Sequence, residues 1–256
     1  MTVGSSRTAG LGLKATTLDV DERGVATLRL NRPDAGNSRN QQMRQDLNRI
    51  YDVVCADDSI RVLVLTGAGD RAFCAGMDLK EAGGPETPEE RRQRLSGSRD
   101  IEQLASLPKP TIAAINGYAL GGGCEMALAC DVRVMADEAR LALPELTHGL
   151  VPGGGATQRL PRLVGVACAF EMIYLGTALY GPAAVARGLA TASVPRTDLA
   201  RYVDDVAGRI AALTPAAVRM AKSLISSSHD TPLQVGLDQE LQGLLELLQE
   251  RNANKA

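Results

Sequence analysis

The stretch NGYALGGGCEMALACD, residues 116–131, decides the fold prediction for this chain. An apolar run leads into three consecutive glycines, and a second apolar run follows, so the pattern predicts a strand, a tight turn and a short helix. Glycine lets a backbone approach a ligand closely, and a helix N-terminus presents free N–H groups at a positive dipole end. The turn therefore suits a phosphate or a developing oxyanion, or else it only allows the strand to pack tightly on the helix.

Strand and helix patterns alternate on both sides of this turn. Two apolar runs flank the polar turn DERG and predict a β-hairpin, and apolar residues at helical spacing predict a helix over residues 40–55. Further strands are predicted at 62–65, 111–116, 131–136 and 140–142. From Pro152 to the end the pattern is helical, so the pattern alone indicates an α/β fold with a helical C-terminal third.

Composition excludes several classes of protein. The 256 residues are 45% hydrophobic and 23% charged, as is usual for a globular chain. The net charge of −2 argues against a nucleic-acid-binding surface, and Arg44 and Arg49 stand among acidic residues in the first long helix. Residues 1–14 lack the apolar core of a signal peptide, and the apolar stretch 111–130 contains polar residues that exclude a membrane span. We therefore expect a cytoplasmic protein without membrane or nucleic-acid partners.

Cysteine and histidine patterns offer no metal or nucleophile site. The five cysteines form no C-x-x-C pair, so we expect reduced, buried thiols rather than disulfides or a zinc site. No H-E-x-x-H or EF-hand pattern suggests a metal, and no G-x-S-x-G sequence suggests a serine hydrolase. Of the two histidines, His148 lies near the glycine turn, but we expect it to be packed or on the surface.

Two glutamates are candidate acid–base groups. Glu125 falls in the first turn of the predicted helix, and the apolar run MALAC after it suggests burial. A buried carboxyl group in a glycine-rich pocket is a candidate general base, whereas a plain first-turn glutamate would only stabilise the helix by about 0.3–1 kcal/mol. Glu145 lies 20 residues later, after Pro144 and among apolar residues, and it is either a second acid–base group or the first residue of a helix.

Four segments together resemble the enoyl-CoA hydratase/isomerase (crotonase) superfamily. The glycine segment matches the signature of that superfamily, and the other matches follow in the expected order over about residues 16–230. They are NRPDAGNS (31–38), VLVLTGAGDRAFCAGMDLK (62–80) and LPELTHGLVPGGGATQRLPRLVG (143–165). The resemblance implies a spiral of ββα units with C-terminal helices that build trimers, often paired into hexamers. It divides the chain into a flexible N-terminus (1–14), a crotonase core (15–195) and a C-terminal helical region (196–256).

The resemblance also implies a substrate and a set of site residues. Members bind an acyl-CoA thioester and stabilise its enolate with two backbone N–H groups, which by motif are those of Met77 and Gly122. No metal or redox cofactor is implied, since CoA arrives as part of the substrate. The residues expected to contact acyl-CoA are Ala35, Ala75, Met77, Asp78, Leu79, Lys80, Gly121 and Gly122. Asp34 stands where the family often has lysine, which removes one expected phosphate contact.

Glutamates at both acidic positions imply an enoyl-CoA hydratase that adds water reversibly, in the syn sense, to a trans-2-enoyl-CoA. Glu125 would deprotonate the attacking water, and Glu145 would deliver a proton to the α-carbon. The alternative is a 3,2-enoyl-CoA isomerase or another specialised crotonase reaction. The polar 80–100 segment, which we predict to be a loop entering a charged helix, differs from the family, and the last helix lacks the aromatic residue that many members carry.

Overall fold

The structure, a computed structural model, describes residues 10–78, 80, 81, 87–90, 92 and 99–253. The strands are β1 (Thr16–Val20), β2 (Val25–Leu30), β3 (Val62–Gly67), β4 (Ala72–Cys74), β5 (Thr111–Ile115), β6 (Tyr118–Leu120), β7 (Val132–Ala136), β8 (Arg140–Ala142), β9 (Leu179–Tyr180) and β10 (Ala192–Val194). The helices are α1 (Gln41–Ala56), α2 (Asp100–Ala105), α3 (Gly122–Ala129), α4 (Ala156–Tyr174), α5 (Gly181–Ala186), α6 (Arg196–Ala211), α7 (Pro215–Ser227) and α8 (Leu233–Ala253).

The strands form two sheets. The larger sheet has the order β1-β2-β3-β5-β7-β10, in which β1 and β2 are antiparallel and the other neighbours are parallel. The smaller sheet has the order β4-β6-β8-β9, with only β8 and β9 antiparallel. Strands β3 and β5 are almost entirely buried, as expected for parallel strands that are covered on both faces.

Successive pairs of strands are divided between the two sheets. The first strand of each pair (β3, β5 and β7) joins the larger sheet, and the second strand (β4, β6 and β8) joins the smaller one. Helices α2 and α3 follow the first two pairs, so the chain winds through repeated ββα units. This arrangement confirms the predicted α/β spiral and its C-terminal helices.

The hairpin and the first helix form as the sequence predicts. Gly24 closes the β1–β2 turn with a φ of +79°, a left-handed conformation that glycine adopts at low cost. Helix α1 begins after Asn40, whose side-chain oxygen accepts a hydrogen bond from Met43 N at 2.9 Å. Its buried face carries Met43, Leu47, Ile50, Tyr51 and Val54, and this face packs against the core.

Two predictions about the fold are wrong. The chain after Pro152 is not helical throughout, because β9 and β10 lie within it. These strands have two and three residues, too few to produce a period that distinguishes them from helix. Cys74, Cys124, Cys130 and Cys168 are buried as expected, whereas Cys55 is exposed near the end of α1.

Some predictions lie outside the described residues. These predictions concern residues 1–9 of the expected flexible N-terminus, Leu79 and much of the 80–100 segment. The division of the chain at residues 14 and 195 stays a prediction, although β10 ends at Val194 and α6 begins at Arg196. No helix in the described part of the chain is long and apolar enough to cross a bilayer.

Candidate active site

The glycine turn opens helix α3. Gly121 precedes the helix with a φ of +51° and donates its N–H to Ala142 O of β8 at 2.9 Å. A Cβ atom on Gly123 would lie 2.1 Å from Cys74 O, so close packing on β4 requires glycine there. Gly122 is the first helical residue, and helix geometry gives its N–H no intrahelical acceptor. The turn thus combines tight strand–helix packing at Gly123 with an available N–H at Gly122.

A second available N–H lies on the neighbouring segment. Arg39 pairs with Met77 in a parallel bridge, in which Arg39 N donates to Gly76 O at 2.7 Å and Asp78 N donates to Arg39 O at 3.1 Å. Because peptide groups alternate in direction along an extended segment, Met77 N–H points away from Arg39. A Cβ atom on Gly76 would lie 3.5 Å from Gly122 N, so the two segments adjoin. Two N–H groups on adjoining segments can stabilise a developing oxyanion.

Glu125 is buried, as its apolar surroundings in sequence predict, with 4% of its surface exposed. Its Oε1 accepts hydrogen bonds from Gly154 N at 2.6 Å and Ala156 N at 3.1 Å. Ala156 is the first residue of α4, whose positive dipole end favours a carboxylate. Oε2 has no hydrogen-bond partner among the described residues and lies 2.6 Å from where a Cβ atom of Gly154 would be. Backbone donors thus hold one oxygen and leave the other available.

Glu145 begins the 3-10 helix Glu145–His148, which follows β8 after Leu143 and Pro144. Its Oε1 lies 3.2 Å from where a Cβ atom of Gly121 would be, so this carboxyl group adjoins the glycine turn. Its Oε2 is buried and has no hydrogen-bond partner among the described residues. Burial raises the pKa of Glu145, and the nearby charge of Glu125 raises it further. A carboxyl group in this environment keeps its proton to a higher pH than an exposed glutamate does, which suits a proton donor.

Asp78 anchors the segment that carries Met77. Its Oδ2 accepts hydrogen bonds from Arg32 Nη1 at 2.8 Å and Ser38 Oγ at 3.2 Å, and its Oδ1 accepts one from Lys80 N at 3.2 Å. The Arg32 guanidinium lowers the pKa of Asp78, which therefore stays ionised. The carboxylate of Asp78 is thus engaged within the protein, and its expected contact with acyl-CoA stays a prediction.

The other residues predicted to contact acyl-CoA lie around this segment. Ala75 N donates to Gly36 O at 2.9 Å, which brings the loop of Ala35 beside Ala75. The side chain of Lys80 is exposed, and Leu79 lies outside the described residues. His148 is exposed, as expected. Among the described residues, no group of three His, Cys, Asp or Glu side chains could hold a metal ion.

A buried ion pair at this site is not predicted by the sequence pattern. Arg39 and Asp100 are 7% and 0% exposed, and the Nη2 of Arg39 lies 2.6 Å from Asp100 Oδ1. The two residues are 61 positions apart, so no local spacing relates them. The one local signal is Arg39 itself, a charged residue just before the apolar face of α1.

Comparison with known proteins agrees with this fold and site. The family model for enoyl-CoA hydratase/isomerase matches residues 21–256. The 2,3-dehydroadipyl-CoA hydratase of Escherichia coli is 39% identical over 85% of this chain and 84% of its own. The short-chain-enoyl-CoA hydratase of Clostridium acetobutylicum is 35% identical over 83% and 82%. A crystal structure of enoyl-CoA hydratase from Bacillus anthracis is 40% identical and superposes with a TM-score of 0.88 over 92% of both chains.

These findings define a crotonase-fold protein with two carboxyl groups beside a glycine turn. The chain belongs to the enoyl-CoA hydratase/isomerase family.

Proposed function

We propose that the protein is an enoyl-CoA hydratase that adds water reversibly to a trans-2-enoyl-CoA, giving the 3-hydroxyacyl-CoA. Membership of the family supports an enzyme that acts on an acyl-CoA thioester. The observation that carries the hydratase assignment is the pair of carboxyl groups beside the glycine turn, Glu125 with an available oxygen and Glu145 with a raised pKa. Water addition needs both a base and an acid, whereas moving a double bond needs only one proton-transferring group.

The proposed reaction assigns a role to each group. The N–H groups of Met77 and Gly122 bind the thioester oxygen and stabilise the enolate that forms when water attacks the β-carbon. Glu125 takes a proton from the attacking water through its available Oε2, and Glu145 delivers a proton to the α-carbon as the enolate collapses. The segment from Ala75 to Lys80, with Ala35 beside it and Gly121 at the turn, is proposed to contact the CoA portion.

A product assay tests this function. Purified protein is incubated with crotonyl-CoA and then with longer and branched enoyl-CoAs. The absorbance of the conjugated thioester is followed, and the products are identified by mass spectrometry. The expected result is loss of absorbance and a gain of one water, abolished in Glu125→Gln and Glu145→Gln but not in the control Glu102→Gln, whose carboxyl group is exposed on α2. A shifted double bond without added water would overturn the hydratase assignment in favour of an isomerase.

The proposed chemistry uses only carboxyl groups and backbone donors of this chain. We therefore propose that no metal or redox cofactor takes part, and that CoA enters with the substrate. Dialysis against EDTA is expected to leave the hydration rate unchanged. A loss of rate that added divalent metal restores would contradict this part of the proposal.

We also propose that the C-terminal helices mediate assembly into a trimer or a pair of trimers. Large apolar side chains are exposed along α4 and α8, where a partner subunit could cover them. They are Val166, Phe170, Tyr174, Leu237, Leu241, Leu244 and Leu245. Exposed apolar patches on a globular chain are typical of interfaces. Light scattering during size-exclusion chromatography should give three or six times the monomer mass, and a monomer would contradict the proposal.

A further inference from the structure

The buried pair of Arg39 and Asp100 lies directly behind the glycine turn. The Nε of Arg39 donates to Asp100 Oδ2 at 3.1 Å, and its Nη2 donates to Oδ1 and Oδ2 at 2.6 and 2.7 Å. The Nε–Nη2 edge of the guanidinium therefore binds the carboxylate of Asp100, and this contact fixes the orientation of the whole guanidinium group. Nη1, outside that edge, has no hydrogen-bond acceptor among the described residues.

Nη1 points at the backbone of Gly122. A Cβ atom on Gly122 would lie 2.6 Å from Nη1 and 3.8 Å from Cζ of Arg39. The guanidinium thus occupies the space that any side chain at position 122 would need. The positively charged guanidinium also lies beside Gly122, the residue whose N–H is proposed to bind the thioester oxygen.

The backbone of Arg39 holds the other proposed donor. Its N–H and C=O bond to Gly76 O and Asp78 N on either side of Met77, and this pairing turns the N–H of Met77 away from Arg39. One residue therefore contacts both halves of the proposed oxyanion hole, Met77 through its backbone and Gly122 through its side chain.

A buried ion pair is weak evidence of a stabilising role. Well-packed apolar residues of similar volume are often as stabilising as a buried ion pair or more so. Burial lowers the pKa of Arg39, but the charge and hydrogen bonds of Asp100, together with Cys74 and Tyr51, raise it by more than burial lowers it, so the guanidinium stays charged. A fixed charge in a site of low dielectric acts more strongly on a nearby developing charge than the same charge in water.

We propose that Arg39 is a positioning residue of the oxyanion hole. Its guanidinium, oriented by Asp100, fills the space beside Gly122 and strengthens the polarisation of the thioester carbonyl group bound there. The inference rests on the proposed function in one respect, that a thioester oxygen binds to Met77 and Gly122. It applies to any reaction that passes through the thioester enolate, whether or not water is added.

The test removes the charges while keeping the volume. Arg39→Met/Asp100→Leu removes both charges of the pair together, so we expect a thermal midpoint near that of the wild type. We expect kcat for crotonyl-CoA to fall at least about ten-fold, less than the ~10²–10³ lost with an oxyanion-hole donor, and KM to change little. Arg39→Lys keeps the positive charge but cannot make the paired Nε and Nη2 hydrogen bonds to Asp100, so it should give an intermediate kcat.

A spectroscopic measurement separates this role from a structural one. Crotonyl-CoA labelled with ¹³C at the thioester carbonyl is bound to the wild type and to the double variant. The measurement is repeated with Glu125→Gln added to each protein, because this substitution is expected to stop turnover. The infrared carbonyl band should shift to lower frequency in the wild type, and the shift should shrink in the double variant. The control Arg133→Met removes another buried arginine, whose guanidinium bonds only to the backbone oxygens of Leu189, Ala127 and Cys130, and it should lose stability but keep the band shift.

The outcomes distinguish the two proposals. A double variant with the kcat and the band shift of the wild type would overturn the role of Arg39. A wild-type chain that adds no water to any enoyl-CoA but shows the Arg39-dependent band shift would count against the hydratase proposal only. Failure to bind crotonyl-CoA, or a bound carbonyl band at its solution frequency in the wild type, would contradict the role of Arg39 as well.

Discussion

Burial raises the pKa of Glu145, and the carboxylate of Glu125 raises it further. The two residues sit beside the same glycine turn in different environments. Glu125 accepts two backbone hydrogen bonds on Oε1, which suit a carboxylate. Glu145 has a buried Oε2 with no hydrogen-bond partner among the described residues. This asymmetry supports the assignment of Glu125 as the base and Glu145 as the proton donor.

The rate of hydration should depend on the raised pKa of Glu145. As the donor in the hydration direction, Glu145 must start protonated, so kcat/KM should fall as pH rises through its pKa. In Glu125→Gln the charge that raises this pKa is gone, and the falling limb of the residual activity should move to lower pH. The measurement is kcat/KM for crotonyl-CoA against pH in both proteins. If kcat/KM falls at the same pH in the wild type and in Glu125→Gln, this result would contradict the coupling of Glu125 to Glu145.

The same shift should appear in stability. A carboxyl group whose pKa is raised in the folded state stabilises that state below its unfolded pKa, and this contribution is lost as pH rises through the folded pKa. The Glu145→Gln variant has no such dependence, so its thermal midpoint relative to the wild type should increase as pH rises through that window. Scanning fluorimetry from acid to neutral pH measures the difference. Glu102→Gln, at an exposed position, is the control, and parallel curves for Glu145→Gln and the wild type would contradict the prediction.

Two adjacent glycines make a matched pair for testing the position of Glu125. A Cβ atom on Gly154 would lie 2.6 Å from Glu125 Oε2 and 2.6 Å from Ile101 Cδ1, whereas a Cβ atom on Gly153 meets nothing within 4 Å. Both clashing atoms are the ends of side chains that can move, so Gly154→Ala should fold. We expect it to displace the carboxylate and lower kcat by about 10²-fold, since a misplacement of 1 Å can cost that much.

The Gly153→Ala variant should keep the rate of the wild type. Crotonyl-CoA kinetics and thermal midpoints of the two variants check the pair together. Equal rates in both would show that Glu125 either moves without consequence or has no part in the chemistry.

The local pattern of apolar residues predicts those features of the fold that depend only on residues close together in sequence. Apolar spacing predicts a helix over residues 40–55, and α1 spans Gln41–Ala56. The burial of Glu125 followed from the apolar run after it. Strand β10 could not be predicted in this way, because its three residues form a strand only by pairing with β7.

The site shows the same limit. The glycine turn and the two glutamates are visible in the sequence, but the groups that hold them are not. Gly154 lies 29 residues from the Glu125 side chain to which it donates, and Asp100 lies 61 residues from Arg39. Contacts at these separations depend on how the ββα units wind together, which no single segment encodes.

The Arg32–Asp78 pair should stabilise the segment of Met77 in a way that depends on pH. Asp78→Asn keeps the shape of the side chain but removes the charge that Arg32 contacts at 2.8 Å. Hydrogen bonds to charged groups contribute about 1.5–3 kcal/mol, and we expect a loss of that size at neutral pH. Because Arg32 lowers the pKa of Asp78, the contribution is present above the unfolded pKa and is lost as pH falls through the folded pKa.

The difference in unfolding free energy between wild type and Asp78→Asn should therefore shrink as pH falls through the folded pKa of Asp78 and its carboxyl group becomes protonated. Urea unfolding at neutral and acid pH measures it. Asp198→Asn, which removes an exposed carboxylate paired with Arg201 at 3.1 Å, is the control and should change stability by less than about 1 kcal/mol. A difference for Asp78→Asn that is constant with pH would show that its charge does not stabilise the Met77 segment.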